Sequence, residues 1–162
     1  MNSRVTIADA TMDDLTYVAS WLSDIDRTEL SITRDAFDYD TLAKDAYCNS
    51  HYCKVALMDG ITPVFAFGVR RISRRTVGVW GFKTEDGRRA IRTVTKYLIR
   101  HVIPDLHDTG IRRAICYVHP DNIDSQNWLA HLGFRPLATP GELGAPLIRY
   151  QRDEPVEPRP PA

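Results

Sequence analysis

Residues 76–118 constrain the fold more than any other part of the chain. A β-rich run, "TVGVWGFKT", leads into the longest helical pattern, "EDGRRAIRTVTKYLIRHVIPDLHD", and then into a strong apolar strand, "GIRRAICYVHP". Two strands joined by a helix pair parallel, with a right-handed crossover. The preceding strands are joined differently. His51 to Met58 and Thr62 to Ile72 flank Asp59-Gly60, a hairpin turn signal, and the basic turn "SRR" carries the chain into residue 76. Hairpin neighbours pair antiparallel. The expected fold is therefore a mixed, mostly antiparallel sheet with a central parallel strand pair and helices on both faces, an α/β domain of the α+β layered kind.

The remaining elements fit around that unit. Val5 to Ala8 reads as a first strand, and Thr11 with Asp14 three residues on is close to a capping box. Leu15, Val18, Ala19 and Leu22 then recur at helical spacing, in a helix read as running to Ile25. "RDAFDYDTLAKDAYC" reads as a second helix. In the long helix Ala90, Ile91, Val94, Tyr97, Leu98 and His101 make one face, and Pro104 marks its end or a kink. In "DNIDSQNWLAHLGFR", Asp121 or Asn122 caps a short helix and Gly133 suits the left-handed residue after its last turn. Leu129, Leu132 and Phe134 then face the core. A strand near Arg135 to Ala138, a loop with Pro140, Gly141 and Gly144, and a last strand about Leu147 to Arg152 complete the order β-α-α-β-β-β-α-β-α-β-β. Residues 1–152 read as one domain, and the proline-rich, polar residues 153–162 as a disordered tail.

Composition narrows the function classes. No run of about 18 apolar residues is present, which argues against a membrane span. The start of the chain turns acidic before a signal-type apolar region develops, and three cysteines do not make a disulfide framework, so a cytoplasmic location is expected. Cys48, His51 and Cys53 match no common zinc spacing and lack a second ligand pair. Net charge is zero but segregated: residues 1–53 hold ten acids and four Lys/Arg, residues 54–116 thirteen Lys/Arg and five acids. The basic half contains Arg70, Arg71, Arg74 and Arg75 across one turn, and a stripe of Arg88, Arg92, Lys96 and Arg100 at four-residue spacing. Such a surface suits phosphates. No nucleic-acid-binding motif accompanies it, and no aromatics interleave with the arginines, so nucleic acid is not the expected partner. An acidic protein, or the acidic segment of a second copy in a homodimer, suits the same charge.

The element order, with Asn122, Leu132, Gly133 and Phe134 in "HPDNIDSQNWLAHLGFR", resembles the GNAT superfamily of N-acyltransferases. The resemblance implies acyl transfer from acetyl-CoA to an amine. It places the acyl-CoA between two splayed central strands, Thr76–Lys83 and Ile111–His119. Trp80, Gly81, Phe82 and Lys83 would hold the pantetheine arm and Asn122 would lie beside it. The pyrophosphate would sit at the turn "KTEDGRRAIRT", where the family carries a glycine-rich loop. That turn is degraded here to one glycine, Gly87, with Glu85 and Asp86 nearby and with Arg88 and Arg89 as side-chain substitutes. Leu129 stands where the family carries its general-acid tyrosine. His119 and Tyr117 are the catalytic residues the resemblance then leaves, His119 as base.

The "VWGFKT" strand, the Arg-rich long helix and the Gly-Phe helix end also resemble GNAT-like proteins of tailed bacteriophages, of the internal virion protein type. That resemblance implies a host-cytoplasm or virion setting. It also carries an alternative: a GNAT-fold protein that has lost catalysis and binds a host or virion protein.

Overall fold

The structure, a computed structural model, describes residues 4–33, 38–137 and 147–154. β1 (Val5–Asp9) leads into α1 (Met12–Ser20), α2 (Asp24–Thr33) and α3 (Tyr39–Asn49), followed by β2 (Tyr52–Met58), β3 (Thr62–Arg71) and β4 (Thr76–Lys83). A 3-10 turn (Glu85–Ala90), α4 (Ile91–Tyr97), a π turn (Leu98–Val102) and α5 (Ile103–Asp108) form the crossover to β5 (Arg113–Val118). α6 (Ile123–His131), β6 (Arg135–Pro136) and β7 (Ile148–Asp153) complete the chain. The strands form one sheet in the order β1-β2-β3-β4-β5-β7-β6. Every neighbouring pair is antiparallel except β4–β5, which is parallel as the crossover requires.

The parallel pairing is short. Thr76, Val77 and Gly78 face Arg113, Ala114 and Ile115, and beyond them β4 and β5 part. Helices cover both faces. On one, Val55, Ala66 and Phe82 pack beneath Leu15, Val18 and Ala19 of α1 and Leu42, Ala43 and Ala46 of α3. On the other, Phe65 and Phe67 meet Ala90 and Val94. Val69 and Val77 meet Val102 and Leu106, and Val118 and Tyr150 meet Leu129 of α6 and Leu132, the residue that ends it.

Local signals explain the ends that were legible. Thr11 and Asp14 form the full capping box of α1. Asn122 is the cap of α6, accepting the Ser125 N–H, and Gly133 has φ +93° after the last turn. Three expectations change. Between β1 and β2 there are three helices where two were read: α1 stops at Ser20, Leu22 bridges to Thr84, and α2 starts afresh. Pro104 does not end the long helix, which continues to Asp108, and the irregularity precedes it as the π turn. The buried face steps Val94, Val102, Leu106, with Leu98 packed beside it; His101 is exposed. A four-residue step exceeds the 3.6 residues of a regular α turn, and the wider π turn absorbs the difference. Ala138, the loop with Pro140, Gly141 and Gly144, residues 34–37 of the expected second helix, and residues 155–162 of the expected tail lie outside the described residues.

One glycine of β3 sets the packing under α3. A Cβ on residue 68 would stand 2.2 Å from the Tyr52 carbonyl oxygen and 2.4 Å from Trp80 Cζ2. Trp80 fills that space, donates Nε1–H to Ser50 Oγ at 2.9 Å and stacks on Phe82 with centroids 5.4 Å apart. Gly68→Ala is expected to cost about 1–3 kcal/mol, since the backbone oxygen cannot yield as a side chain would. Thermal melts give the loss, and the near-UV dichroism of the displaced indole gives its cause.

Candidate active site

Where β4 and β5 part, the sheet opens into a cavity of about 320 Å³. Its walls come from β3, β4, β5 and helices α4 to α6, and are mostly apolar, with Phe65, Val79, Leu98 and Leu129 among them. At the far side of the gap it reaches Asp26, Glu29 and Leu30 of α2.

α2 is seated there by the end of β4. Lys83 N–H donates to Asp26 Oδ2 at 2.8 Å, and Ser23 N–H donates to the Lys83 carbonyl at 2.8 Å. Lys83 Nζ pairs with Asp26 Oδ2 at 3.4 Å. Glu85 adds a cap, its Oε1 accepting the Asp24 N–H at 3.1 Å. The last residue of β4 thus has its N–H, its C=O and its ammonium engaged by the start of one helix. Burial pushes the Asp26 carboxyl above the ordinary aspartate value, with Lys83 opposing the rise.

Glu29 stands one helical turn further on. Its Oε1 accepts the His119 N–H at 2.9 Å and Asn122 Nδ2–H at 2.8 Å. The second carboxylate oxygen has no hydrogen-bond partner among the described residues. Desolvation raises the Glu29 carboxyl above 4.5, its ordinary value, and the two N–H donors only partly offset that. Cys116 lies near, its thiol pushed up to about 12 by burial first and the Glu29 charge second, so it stays a thiol. A carboxylate with a raised pKa and one open oxygen, in a cleft, has the properties of a proton acceptor. The sequence reading missed both acids. The signal was Ser23 followed three residues later by Asp26, a second capping-type pattern that starts α2 and brings Glu29 onto its next turn.

The residues named from the sequence have the following places. His119 ends β5 at the cleft, and its Nδ1 accepts the Asp121 N–H at 3.0 Å. That bond leaves the proton of the neutral imidazole on Nε2, which makes the free edge of the ring a donor. Tyr117 is half-exposed and lines the cavity. Asn122 is buried, with one side-chain group capping α6 and the other holding Glu29. Trp80 and Phe82 pack into the core under α1 and α3. Gly81 lies on the stretch of β4, from Val79 to Phe82, that has no strand partner on its β5 side. Leu129 is core.

The expected phosphate turn is a 3-10 turn. Gly87 is buried, and a Cβ there would stand 2.5 Å from Lys83 Cβ and 2.6 Å from the Val64 carbonyl oxygen, so this glycine serves packing. Its N–H donates to the Thr84 carbonyl at 2.9 Å. Arg88 pairs with Asp124 in the first turn of α6, across the mouth of the cavity, and Arg89 is exposed beside it. A pantetheine arm fits the open edge of β4 and the apolar cavity. A pyrophosphate would meet arginine side chains rather than the Gly87 amide.

No protein-family model and no curated protein matches the sequence. Solved structures do match. Ard1 from Thermoplasma volcanium superposes with a TM-score of 0.70 at 18% identity, over 92% of this chain and 97% of its own. An acetyltransferase of the GNAT family from Staphylococcus aureus Mu50 gives 0.67 at 19%, over 93% and 99%. The yncA protein of Salmonella typhimurium, solved with its cofactor acetyl-CoA, gives 0.67 at 16%, over 98% of each chain. The chain has the GNAT fold. At these identities the likeness speaks to the fold, and the chemistry rests on the site. Within the GNAT fold of this chain, the opening between the parallel strands is filled from one side by α2 with its two acids, and the turn after β4 is closed on itself. Among the described residues no helix is long and apolar enough to cross a membrane.

Proposed function

We propose that the chain is an N-acyltransferase that moves an acetyl group from acetyl-CoA to an amine, with Glu29 as the proton acceptor. The carrying observation is the Glu29 carboxylate, desolvated at the gap between β4 and β5 and held by His119 and Asn122. Acetyl-CoA, when bound, supplies the activated acyl group as a thioester. The unpaired edge of β4 from Val79 to Phe82 holds its arm, and Arg88 and Arg89 meet its phosphates. An amine reaches the site as an ammonium, and the open oxygen of Glu29 removes the proton that blocks attack. His119 Nε2–H and the Tyr117 hydroxyl are the donors that remain for the departing thiolate, since Leu129 offers none.

Calorimetry with acetyl-CoA, followed by thiol release in the presence of amines, tests this reading. Micromolar binding that weakens in Arg88→Ala/Arg89→Ala supports it, and the absence of heat from a folded protein ends it. Asp124 supplies a second check of opposite sign. Its carboxylate competes with the cofactor phosphates for Arg88 and adds a like charge beside them. Asp124→Asn is expected to tighten acetyl-CoA binding about three- to tenfold at low salt, with the gain shrinking as salt rises.

The second reading is a GNAT-fold protein that has lost catalysis and binds a host or virion protein. It is favoured by the bonded Gly87 amide, the Arg88–Asp124 pair and the core position of Leu129. The phage setting rests on the sequence resemblance. The same calorimetry separates the two readings.

A further inference from the structure

The chain has four lysines, and one of them stands inside the site. Lys44 and Lys96 are exposed on α3 and α4, and Lys54 of β2 pairs with Asp9 of β1. Lys83 is the one lysine among the residues that line the cavity, and its side chain is 13% exposed. An acyl-transfer site that contains a primary amine of its own has to keep that amine from taking the acyl group.

The end of β4 shows how this is done. Lys83 Nζ stands 3.4 Å from Asp26 Oδ2 and 3.5 Å from Asp26 Oδ1, and the same carboxylate accepts the Lys83 backbone N–H at 2.8 Å. Asp26 is buried, so little solvent screens the pair. Among the described residues it is the only carboxylate paired with Lys83. An opposite charge at that distance favours the ammonium form, which has no lone pair with which to attack. Glu29 follows three residues later on α2, and side chains at that spacing are neighbours, about 5–6 Å apart. The acceptor amine that meets Glu29 and the lysine that meets Asp26 therefore stand side by side. One carboxylate takes a proton from its amine, and the other keeps its amine charged.

We propose that Lys83 is a self-acylation site held unreactive by Asp26, and that removing the Asp26 charge makes this lysine an acceptor for the bound acyl donor. The inference rests on the acyl-transfer reading. Without the carboxylate, an ammonium in a mostly apolar cavity loses its counter-charge, and desolvation favours the neutral amine. Its nitrogen then bonds to the thioester carbonyl carbon, and the carbon–sulfur bond breaks. The proton that the nitrogen gives up goes to Glu29, and the thiolate takes one up in its place, so the products are an amide and a free thiol. In the wild type the same event would leave Asp26 a buried carboxylate with no counter-charge and loosen the helix that carries Glu29. The ion pair thus protects the site from its own chemistry.

The test uses the full chain with acetyl-CoA and no acceptor. Calorimetry follows donor binding, and peptide mass mapping locates the acetyl groups. The exposed Lys44 and Lys96 are internal references for label that arrives directly from solution. Relative to them, Lys83 is expected to be acetylated about tenfold or more faster in Asp26→Asn than in the wild type, since one close opposite charge changes the neutral fraction of its partner by about tenfold to a thousandfold. Asp26→Ser, which keeps an oxygen near the Lys83 amide, serves where the asparagine variant does not fold. Trace labelling with acetic anhydride needs no bound donor and reads the amine by itself. There too the ratio of Lys83 to the references should rise about tenfold or more in the variant. No rise with either reagent overturns the proposal while acyl transfer stands. So does a rise with the anhydride alone, which puts Lys83 out of reach of the thioester, and so does wild-type Lys83 labelled as fast as the variant. Absence of acetyl-CoA binding ends the acyl-transfer reading, and this inference with it.

Discussion

Glu29→Gln is expected to slow acyl transfer by about 10²–10⁴-fold, the range for removing a general base, while acetyl-CoA still binds. The substitution is close to isosteric at the two bonds that hold the side chain. Both the His119 N–H and Asn122 Nδ2–H donate to the same oxygen, Oε1, and a glutamine keeps a carbonyl oxygen there. What it loses is the open oxygen and its basicity. In the wild type the rate should rise with pH through a midpoint above 4.5, because desolvation holds the carboxyl protonated longer than in water. In Glu29→Gln that limb should disappear. If the limb persists and the rate is unchanged, another group takes the proton and Glu29 is a strut for β5.

The same substitution has an opposite effect on stability, which separates the two roles. A carboxyl whose folded-state pKa lies above its unfolded value takes up a proton on folding in the interval between them. Stability therefore falls as pH rises from the unfolded value, 4.5, through the folded one, and stays at the lower level above it. Glutamine does not ionise. At neutral pH Glu29→Gln should melt no lower than the wild type, and any advantage should fade below about pH 4.5, where both chains are neutral at this position. A dead enzyme with an unimpaired Tm is the signature of a group kept for chemistry rather than for the fold.

Glu29 also shows where the sequence stops being readable. The β4–β5 crossover, the α1 capping box and the Asn122 cap with Gly133 are of one kind. The capping box and the Asn122–Gly133 pair are each determined by residues within one short helix, and the crossover by a strand–helix–strand order that allows one handedness, so pattern alone finds them. α2 is not of that kind. Ile25 and Ile32 are two turns apart, but Thr28 and Glu29 stand between them where the apolar stripe should continue, and much of what seats α2 comes from Lys83 and Glu85, which lie 57 and 61 residues away from their partners. The acid on α2 was hidden with it. His119 and Asn122 were legible as residues of the site, but their partners were not. A reading of His119 as base needs a lone pair that the Asp121 N–H already occupies. The phosphate turn was legible as degraded, yet only packing against Val64 and Lys83 explains why its one glycine remains.

Asp26→Ala should remove about 3–5 kcal/mol, the range for deleting one partner of a buried ion pair. The Asp26 and Lys83 side chains are 6% and 13% exposed, so solvent does little to replace the lost contact. Two groups are stranded at once: the Lys83 amide, which donates to Asp26 at 2.8 Å, and the Lys83 ammonium at 3.4 Å. For a chain of this size the loss amounts to about 10 °C in Tm. Asp26→Asn keeps an oxygen for the amide and gives up only the charge, so it should lose clearly less, about 1–2 kcal/mol. Lys83→Met in the Asp26→Ala background removes the stranded ammonium and should recover part of the loss, which shows that the penalty lies in the uncompensated charge. Since α2 also carries Glu29 across the gap, loosening its anchor should raise the acceptor KM in Asp26→Ala even well below the melting range. Equal Tm values for the alanine, asparagine and wild-type chains would mean that α2 is seated by its apolar contacts alone, and that the end of β4 is free to engage the acyl donor along its whole length.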